Sequence, residues 1–180
     1  MRPLRLLPWL VVLGVFVAAI LAYPSLPSEV PAKLNLAGEV ARRVPESLAS
    51  WFLIPVLALV LQILLVMWRN SLPRHPEMFN FPDKEDFLRL PDAYRGPVVV
   101  QMQWMMDAIA LLIQALLAAI YVLVWMRSRG HSSSSQVIVP IIMSVMTTPL
   151  IFLLLARVTN AVDEQKKQWR AAGSPPRATD

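Results

Sequence analysis

A few polar side chains interrupt the apolar stretches of this sequence, and they are the residues best placed to do chemistry there. Asp107 is the only acid close to the apolar core of a stretch, with Gln103 four residues before it and Gln114 seven residues after it. Residues at these spacings share one face of an α-helix, so the three side chains are predicted to point together into a bundle. Gln62 is a lone amide in another apolar stretch, where we expect it to bond to a neighbouring helix.

We expect the charge of Asp107 to be paired with a basic side chain or hydrated, because a charge facing lipid near the midplane costs at least ~2.5–3.5 kcal/mol. Arg157 and Arg69 end two other apolar stretches on the side of the membrane that is predicted for Asp107. The sequence therefore predicts an ion pair between Asp107 and Arg157, with Arg69 as the alternative partner. A hydrated position of Asp107 in the membrane interface is the other interpretation, and both stay open here.

No catalytic motif is apparent in the sequence. The chain has no cysteine, which excludes disulfides, thiolate metal sites and a cysteine nucleophile. His75 and His131 are the only histidines, and the predicted topology puts them on opposite sides of the membrane, where they cannot share a metal. Glycine-rich phosphate loops and paired zinc-ligand motifs are also missing. We therefore expect a protein that is not an enzyme and that holds neither a metal nor a cofactor.

Four long apolar stretches predict an all-α membrane protein with a four-helix transmembrane bundle. Apolar residues make up 56% of the 180 residues, and the 16% that are charged lie mostly between the stretches. A bilayer span needs about 20 apolar residues, which is more than a soluble core helix requires. A cleaved signal peptide is the rival interpretation of the first stretch, because basic residues precede it. The predicted spans are residues 4–23, 48–68, 96–125 and 137–156.

Most of the tryptophans lie near the predicted ends of these spans, as is typical of side chains in the membrane interface. They are Trp9, Trp51, Trp68, Trp104 and Trp125.

The distribution of lysine and arginine predicts the orientation of the chain. With both termini in the cytoplasm, twelve of these residues lie inside and five lie outside. Because basic residues accumulate on the cytoplasmic flanks of membrane helices, the count favours this topology in a bacterial inner membrane. The basic flanks of the membrane helices also account for the net charge of +5. No basic run is interleaved with aromatic residues, as it would be in a nucleic-acid-binding module. We expect the lipid bilayer as a partner and no nucleic acid.

The loop between the first two spans carries a regular motif, LP-x-x-VP-x-K-x-N-x-x-G. Its residues are Leu26, Pro27, Val30, Pro31, Lys33, Asn35 and Gly38. The motif and its place between two spans resemble the N-terminal domain of unknown function of SdpI-like bacterial membrane proteins, over about the first 70 residues. That resemblance implies a small multi-span protein, tied in some relatives to toxin immunity or signal reception. It does not imply an enzyme.

This chain departs from the family pattern at two places. Lys33 stands where the family usually has histidine, so a function that depends on histidine titration would not carry over. Glu39, Val40 and Ala41 follow the glycine where the family commonly has aspartate or asparagine a few residues on. A purely structural role for the loop, as a proline-stiffened cap over the bundle, is the alternative to ligand or partner binding.

The loop between the second and third spans is predicted to form a short amphipathic helix on the cytoplasmic surface. Asp83, Glu85 and Asp86 follow a proline, and acidic groups are favourable at a helix N-terminus. Phe87 and Leu90 supply apolar side chains before the next proline ends the turn. The acidic cluster is interpreted as a solvated face, with a partner or cation site as the alternative.

These features divide the chain into four parts. The parts are the SdpI-like helix-loop-helix unit at 1–70, the cytoplasmic loop at 71–97, the second transmembrane hairpin at 98–160 and the charged cytoplasmic tail at 161–180. The leading hypothesis is a partner-binding, immunity or signal-reception protein, or a subunit of a membrane complex. A small oligomeric transporter or channel is the alternative, since Gln62, Gln114 and Asp107 place polar groups within spans. A protein partner on either face and a homo-oligomer both stay open.

Overall fold

The computed structural model describes residues 3–34, 40–45, 47–78, 80–81, 83–130 and 135–173. Within these residues the chain is mostly helical, with one pair of strands. Short 3-10 turns flank the longer elements. In chain order the elements are α1 (Leu7–Ala22), β1 (Glu29–Leu34), β2 (Val40–Pro45), α2 (Leu48–Ser71), α3 (Lys84–Arg89), α4 (Asp92–Ser128) and α5 (Ser135–Ala171).

Four of the helices, α1, α2, α4 and α5, are long and apolar enough to cross a membrane, which confirms the four predicted spans at the level of length and composition. Helix α2 begins at Leu48, where the sequence predicts it. Helices α4 and α5 have 37 residues each. At 1.5 Å per residue each is about 55 Å long, well beyond a bilayer core of about 30 Å, so both extend past the membrane.

The four helices differ in how much of their most apolar window is buried within the protein. The buried share is 28% near α1, 22% in α2 and α4, and zero in α5. Side chains such as Val145, Phe152 and Leu153 of α5 are more than half exposed. An apolar helix with this exposure suits a lipid environment, because lipid tails are as apolar as the side chains themselves.

The first loop is a β-hairpin rather than irregular chain, so the expectation of an all-α fold is wrong at this place. Strands β1 and β2 pair antiparallel, with Val30 opposite Val44 and Pro31 opposite Arg43. Proline has no backbone N–H to donate in a sheet, so it is found mainly in edge strands. Both strands of a two-stranded sheet are edge strands, and they can therefore contain these prolines. The register shifts on both sides of Lys33, so the strand pairing is irregular there.

The second loop does contain a short helix, α3, close to the predicted position. It begins after Asp83, whose φ of 60° lies in the left-handed region, and Phe87 N donates to Asp83 O at 3.0 Å. Helix α4 then begins at Asp92, several residues before the predicted start of the third span, and includes Pro97. The charged segment after the fourth span continues α5 to Ala171.

The chain forms two compact units. The first comprises Met1–Leu65 and Asp107–Thr148, and the second comprises Val66–Met106 and Pro149–Asp180. Both units have a buried core. In the first unit the core residues are Val15, Ala19, Ala22, Val30, Trp51 and Tyr121. In the second unit the most buried apolar residues are Leu72, Phe87, Leu90, Val98, Met102, Val158 and Val162.

Candidate functional site

A pocket of about 440 Å³ lies beneath the hairpin in the first unit. Val30, Pro31 and Val44 of the two strands form one side of it. The start of α2 and the last turns of α4 form the other side, with Trp51 and Tyr121 among the lining residues. Two residues of the predicted loop motif, Val30 and Pro31, therefore lie in the wall of a pocket.

Reciprocal hydrogen bonds fix the start of α2 beside this pocket. Ser50 N donates to Ser47 Oγ at 3.1 Å, and Ser47 N donates to Ser50 Oγ at 3.2 Å. This is the capping-box arrangement, in which two side chains satisfy two backbone donors at a helix N-terminus. Ser50 lines the pocket, but its hydroxyl is already engaged in the cap.

Trp51 and Tyr121 meet at the base of the pocket. Their ring centroids are 5.1 Å apart, a separation typical of favourable aromatic pairs. Trp51 is 3% exposed, and its Nε1 donates to Ala19 O of α1 at 2.9 Å. Trp51 thus connects α1, α2 and α4 as a core residue, rather than lying in the interface as its position near a span end predicts.

Tyr121 differs from Trp51 in its polar group. The residue is 2% exposed, and its hydroxyl is buried without a hydrogen-bond partner among the described residues. A buried hydroxyl without a partner costs about 1–3 kcal/mol. A buried group without a partner calls for an explanation, such as stored strain, a functional role or a bound water.

Basic residues stand on the hairpin above the pocket. Arg42 and Arg43 are exposed on β2, and the backbone register places Lys33 of β1 opposite Arg42. Val30 and Pro31 both line the pocket, and their register partners on β2 are Val44 and Arg43. The hairpin beside the pocket therefore carries both apolar and cationic residues.

The remaining residues of the loop motif have different positions. Leu26 is half-buried and packs against the core of the first unit, while Pro27 is half-buried at the approach to β1. Lys33 is part of β1, where the register shifts. Asn35 and Gly38 lie outside the described residues, so their predicted roles stay predictions.

The predicted amide residues of the spans form a buried pair in the first unit. Gln62 of α2 and Gln114 of α4 are each 1% exposed. Gln114 Nε2 donates to Ala58 O at 3.0 Å and to Gln62 Oε1 at 3.3 Å. Gln114 Oε1 is buried without a partner among the described residues. The pair links α2 to α4 by hydrogen bonds.

The other polar residues of the spans are distributed between the two units. Asp107 in the first unit is 6% exposed, and its predicted place on an inward face shared with Gln103 and Gln114 stays a prediction. In the second unit, Gln103 is half-buried, Arg69 is 9% exposed and Arg157 is exposed. The pairing of Asp107 with Arg157 or Arg69 stays a prediction.

Helix α3 is anchored within the second unit by apolar and charged contacts. Phe87 is fully buried and packs edge-to-face against Phe81 at 5.5 Å, and Leu90 is 1% exposed. Lys166 Nζ of α5 donates to Asp86 Oδ2 at 2.5 Å. This hydrogen bond holds the pKa of the Asp86 carboxyl below its usual range. The apolar side of α3 is thus covered by the protein itself.

The acidic cluster of α3 lines a shallow depression of about 450 Å³, with Asp83, Glu85 and Asp86 among its residues. Asp86 is already paired with Lys166, and Arg89 approaches Glu85 at 3.9 Å. Over the described part of the chain, no group of three or more histidine, cysteine or acidic residues is placed to hold a metal ion. The cluster is accounted for as a solvated, partly paired face.

Sequence reasoning missed the strands and Tyr121. Val40 and Val44 favour a strand only weakly, because the residues between them do not alternate between apolar and polar, and the prolines of the loop oppose a strand. Tyr121 stands in an apolar stretch with nothing in its spacing to mark it. Only the fold shows that it meets Trp51, seventy positions earlier in the chain.

The first part of this site matches a known family model. Residues 10–59 match a family described as a domain of unknown function, DUF1648. The match covers most of α1, the hairpin and the first half of α2, which includes the resemblance motif and Trp51 but not Tyr121. No curated protein and no solved structure matches this chain.

Proposed function

We propose that this chain is a non-enzymatic binding protein of the bacterial inner membrane, acting as a receptor, an immunity factor or a subunit of a membrane complex. The observation that carries the proposal is the pocket under the hairpin, whose lining is mostly apolar and includes the buried aromatic pair Trp51 and Tyr121. Binding sites are typically concave and apolar, with a small number of polar groups that fix the orientation of the ligand. The resemblance to SdpI-like proteins supports the same class of function.

The proposed topology decides on which side of the membrane the pocket lies. With both termini in the cytoplasm, the hairpin and the pocket face outward, where a receptor or an immunity factor meets its ligand. A reporter that is active only in the cytoplasm should work when fused after Asp180. A reporter that is active only outside should work when it is inserted at Ser132. The opposite pair of activities would refute the topology and move the pocket to the inner side.

Site-specific photocrosslinking in cells tests whether the pocket binds. A photoreactive amino acid at Val44 should give a discrete adduct, identified by mass, because Val44 lines the pocket. The same amino acid at Val145, which is 59% exposed on α5, serves as the lipid-facing control. Ile54→Trp fills the pocket and should abolish the Val44 adduct, whereas Ile142→Trp on α5 should leave it unchanged. Equal adducts in both variants would refute binding in the pocket.

A small oligomeric transporter or channel is the second candidate. The observation that favours it is the buried amide pair Gln62–Gln114, whose unpartnered Gln114 Oε1 places a polar acceptor inside a span. Polar groups within spans often mark substrate or ion pathways. Transport predicts ion-dependent flux in reconstituted vesicles that disappears with Asp107→Asn. Absence of any flux from the unmodified protein would eliminate this candidate.

A further inference from the structure

The described residues that line the pocket under the hairpin offer an occupant no free polar side-chain group. The Trp51 indole donates to Ala19 O, and the Ser50 hydroxyl donates to Ser47 O in the helix cap. The Tyr121 hydroxyl is buried with essentially no exposed surface, so it does not reach the space of the pocket. The other lining side chains are apolar. The part of an occupant that enters the pocket is therefore apolar, because a polar group there would lose its hydrogen bonds to water without replacement.

One wall of the pocket belongs to an exposed apolar face of α2. Leu53 lines the pocket and is 66% exposed on this helix, which is long and apolar enough to cross a membrane. Leu57, Val60 and Ile63 follow Leu53 at helical spacing, and each is nearly half exposed. These four residues form an apolar stripe, the α2 stripe, which runs about 15 Å along the span from the edge of the pocket. In a bilayer, an acyl chain that lies against the α2 stripe has a lateral path past Leu53 into the pocket.

Lipid is favoured over water and over a polypeptide as the occupant of this pocket. A buried water needs about two to four polar partners, and the lining side chains have none to give. A polypeptide would bring backbone N–H and C=O groups into a space without free partners, which is costly in an apolar environment. Bilayer lipid is the solvent at the α2 stripe, so mass action favours it over a dilute ligand of equal affinity.

Packing, rather than the hydrophobic effect, holds an acyl chain in such a pocket. A chain that leaves the bilayer gains no hydrophobic free energy, because lipid tails are as apolar as the lining side chains. It gains dispersion contacts, which are individually weak but numerous around an enclosed chain. The pocket has about 440 Å³ to fill, and its base is fixed by the Trp51 and Tyr121 rings, whose centroids are 5.1 Å apart. Without an occupant, the lining would lose these contacts on one side.

We propose that the pocket holds one acyl chain of a bilayer phospholipid, an inference that rests on the proposed binding function and names its ligand class. The lining residues of α2 and α4 lie within about two turns of Leu48 and Ser128, where these helices begin and end. The lipid therefore comes from the leaflet on the hairpin side. Its chain passes Leu53 and fills the space between the hairpin, α2 and α4, while its head group stays in the membrane interface outside the pocket.

Photocrosslinking of the full chain in nanodiscs of one phosphatidylcholine tests this proposal. A photoreactive amino acid replaces Val44, which lines the pocket, or Val145, the lipid-facing position of α5, or Ala41, which is exposed on β2. Fragmentation of each adduct in the mass spectrometer shows whether the crosslink is on the acyl chain or on the head group. Val44 should give a phospholipid adduct that is linked through the acyl chain. Val145 should also give lipid adducts, and Ala41 should give none.

Variants of α2 separate a chain inside the pocket from lipid at the surface. Ile54→Trp fills the pocket and Leu53→Trp narrows its lateral opening, so each should abolish the Val44 adduct and leave the Val145 adducts unchanged. Ile63→Trp is the matched control, because it adds the same ring to the α2 stripe about 15 Å from Leu53. This control should leave the adducts at both positions unchanged.

Val124→Phe fills the pocket from α4 and replaces Ile54→Trp if that variant lowers the yield of folded protein. A Val44 adduct linked through the head group, or one that persists in the filled pocket, would overturn the acyl chain as the occupant. Loss of the Val44 adduct in Ile63→Trp would overturn it as well, since that change leaves the pocket open. A crosslink between two copies of the chain would overturn it in favour of a second copy.

The same position in cells separates failure of this proposal from failure of the proposed binding function. The Val44 adduct in cells should have the mass of a phospholipid. A discrete adduct of another mass that Ile54→Trp abolishes would refute the phospholipid and keep the binding function. If neither nanodiscs nor cells give a Val44 adduct that depends on an open pocket, both the lipid and the binding function are refuted.

Discussion

The hairpin and helix α3 are both short elements between long helices, and their polar groups are satisfied to different degrees. In α3, Asp86 is bonded to Lys166, and the apolar residues Phe87 and Leu90 are buried within the protein. At the hairpin, Val44 and Tyr121 border an open pocket, and the Tyr121 hydroxyl is buried with no partner among the described residues. Satisfied polar groups stabilise a fold, whereas broken local rules are expected at functional or strained sites.

Substitution of Trp51, at the aromatic base of the hairpin pocket, is expected to cause the largest loss of stability. Trp51→Ala removes the hydrogen bond to Ala19 O and the packing against Tyr121, so it should lower the free energy of unfolding by about 3–5 kcal/mol. Trp68→Ala is the matched control on the same helix, and at 63% exposure it should change stability by only ~0.5 kcal/mol. Reversible denaturation in mixed micelles measures both. Equal losses would show that Trp51 is an interfacial residue after all.

The hydroxyl of Tyr121 and its ring have opposite expected effects on stability. Because this hydroxyl is buried without a partner among the described residues, Tyr121→Phe should raise the free energy of unfolding by about 1 kcal/mol. The same change keeps the ring that packs against Trp51. Tyr121→Leu removes the ring as well and should destabilise the protein. A loss of stability in Tyr121→Phe would mean that the hydroxyl is bonded in the folded protein, and the comparison with α3 would fail.

The four spans could be predicted from the sequence because each is set by a local property, a run of about 20 apolar residues. The start of α2 at Leu48 is also set by a local property, since Ser47 and Ser50 cap the helix within one turn. The pocket, by contrast, is not set by any local property of the sequence. It depends on a strand pair that no alternation of apolar and polar residues marks, and on the contact between Tyr121 and Trp51, which lie far apart in the sequence. Sequence patterns therefore located the motif loop without revealing what it covers.

The buried amides offer a smaller test within the first unit. Gln62→Leu and Gln114→Leu should be coupled by about 0.6 kcal/mol, the average for hydrogen bonds between membrane helices. A double-mutant cycle on the free energy of unfolding measures the coupling. Gln114→Leu also removes the unpartnered Oε1, so this single change should cost less than its two hydrogen bonds suggest. Strictly additive effects would show that the two amides do not interact.

The ion pair of α3 should give the smallest effect, because both side chains retain contact with water and salt screens them. The pKa of Asp86 is lowered by the hydrogen bond from Lys166, so the folded state binds this proton less tightly than the unfolded state does. The contribution of the pair to stability is therefore present above the ordinary pKa of aspartate, and it is lost as the pH falls through the lowered value.

Asp86→Asn should abolish that part of the acid dependence, and Lys166→Met should abolish it as well. Glu85→Gln is the matched control, since Glu85 is mostly exposed and its nearest cation, Arg89, is 3.9 Å away. Thermal unfolding at neutral and acidic pH compares the three variants with the unmodified chain. If Glu85→Gln changed the acid dependence as much as Asp86→Asn, the Asp86–Lys166 contact would not be what anchors α3. The contrast between a satisfied α3 and an unsatisfied hairpin pocket would then rest on the pocket alone.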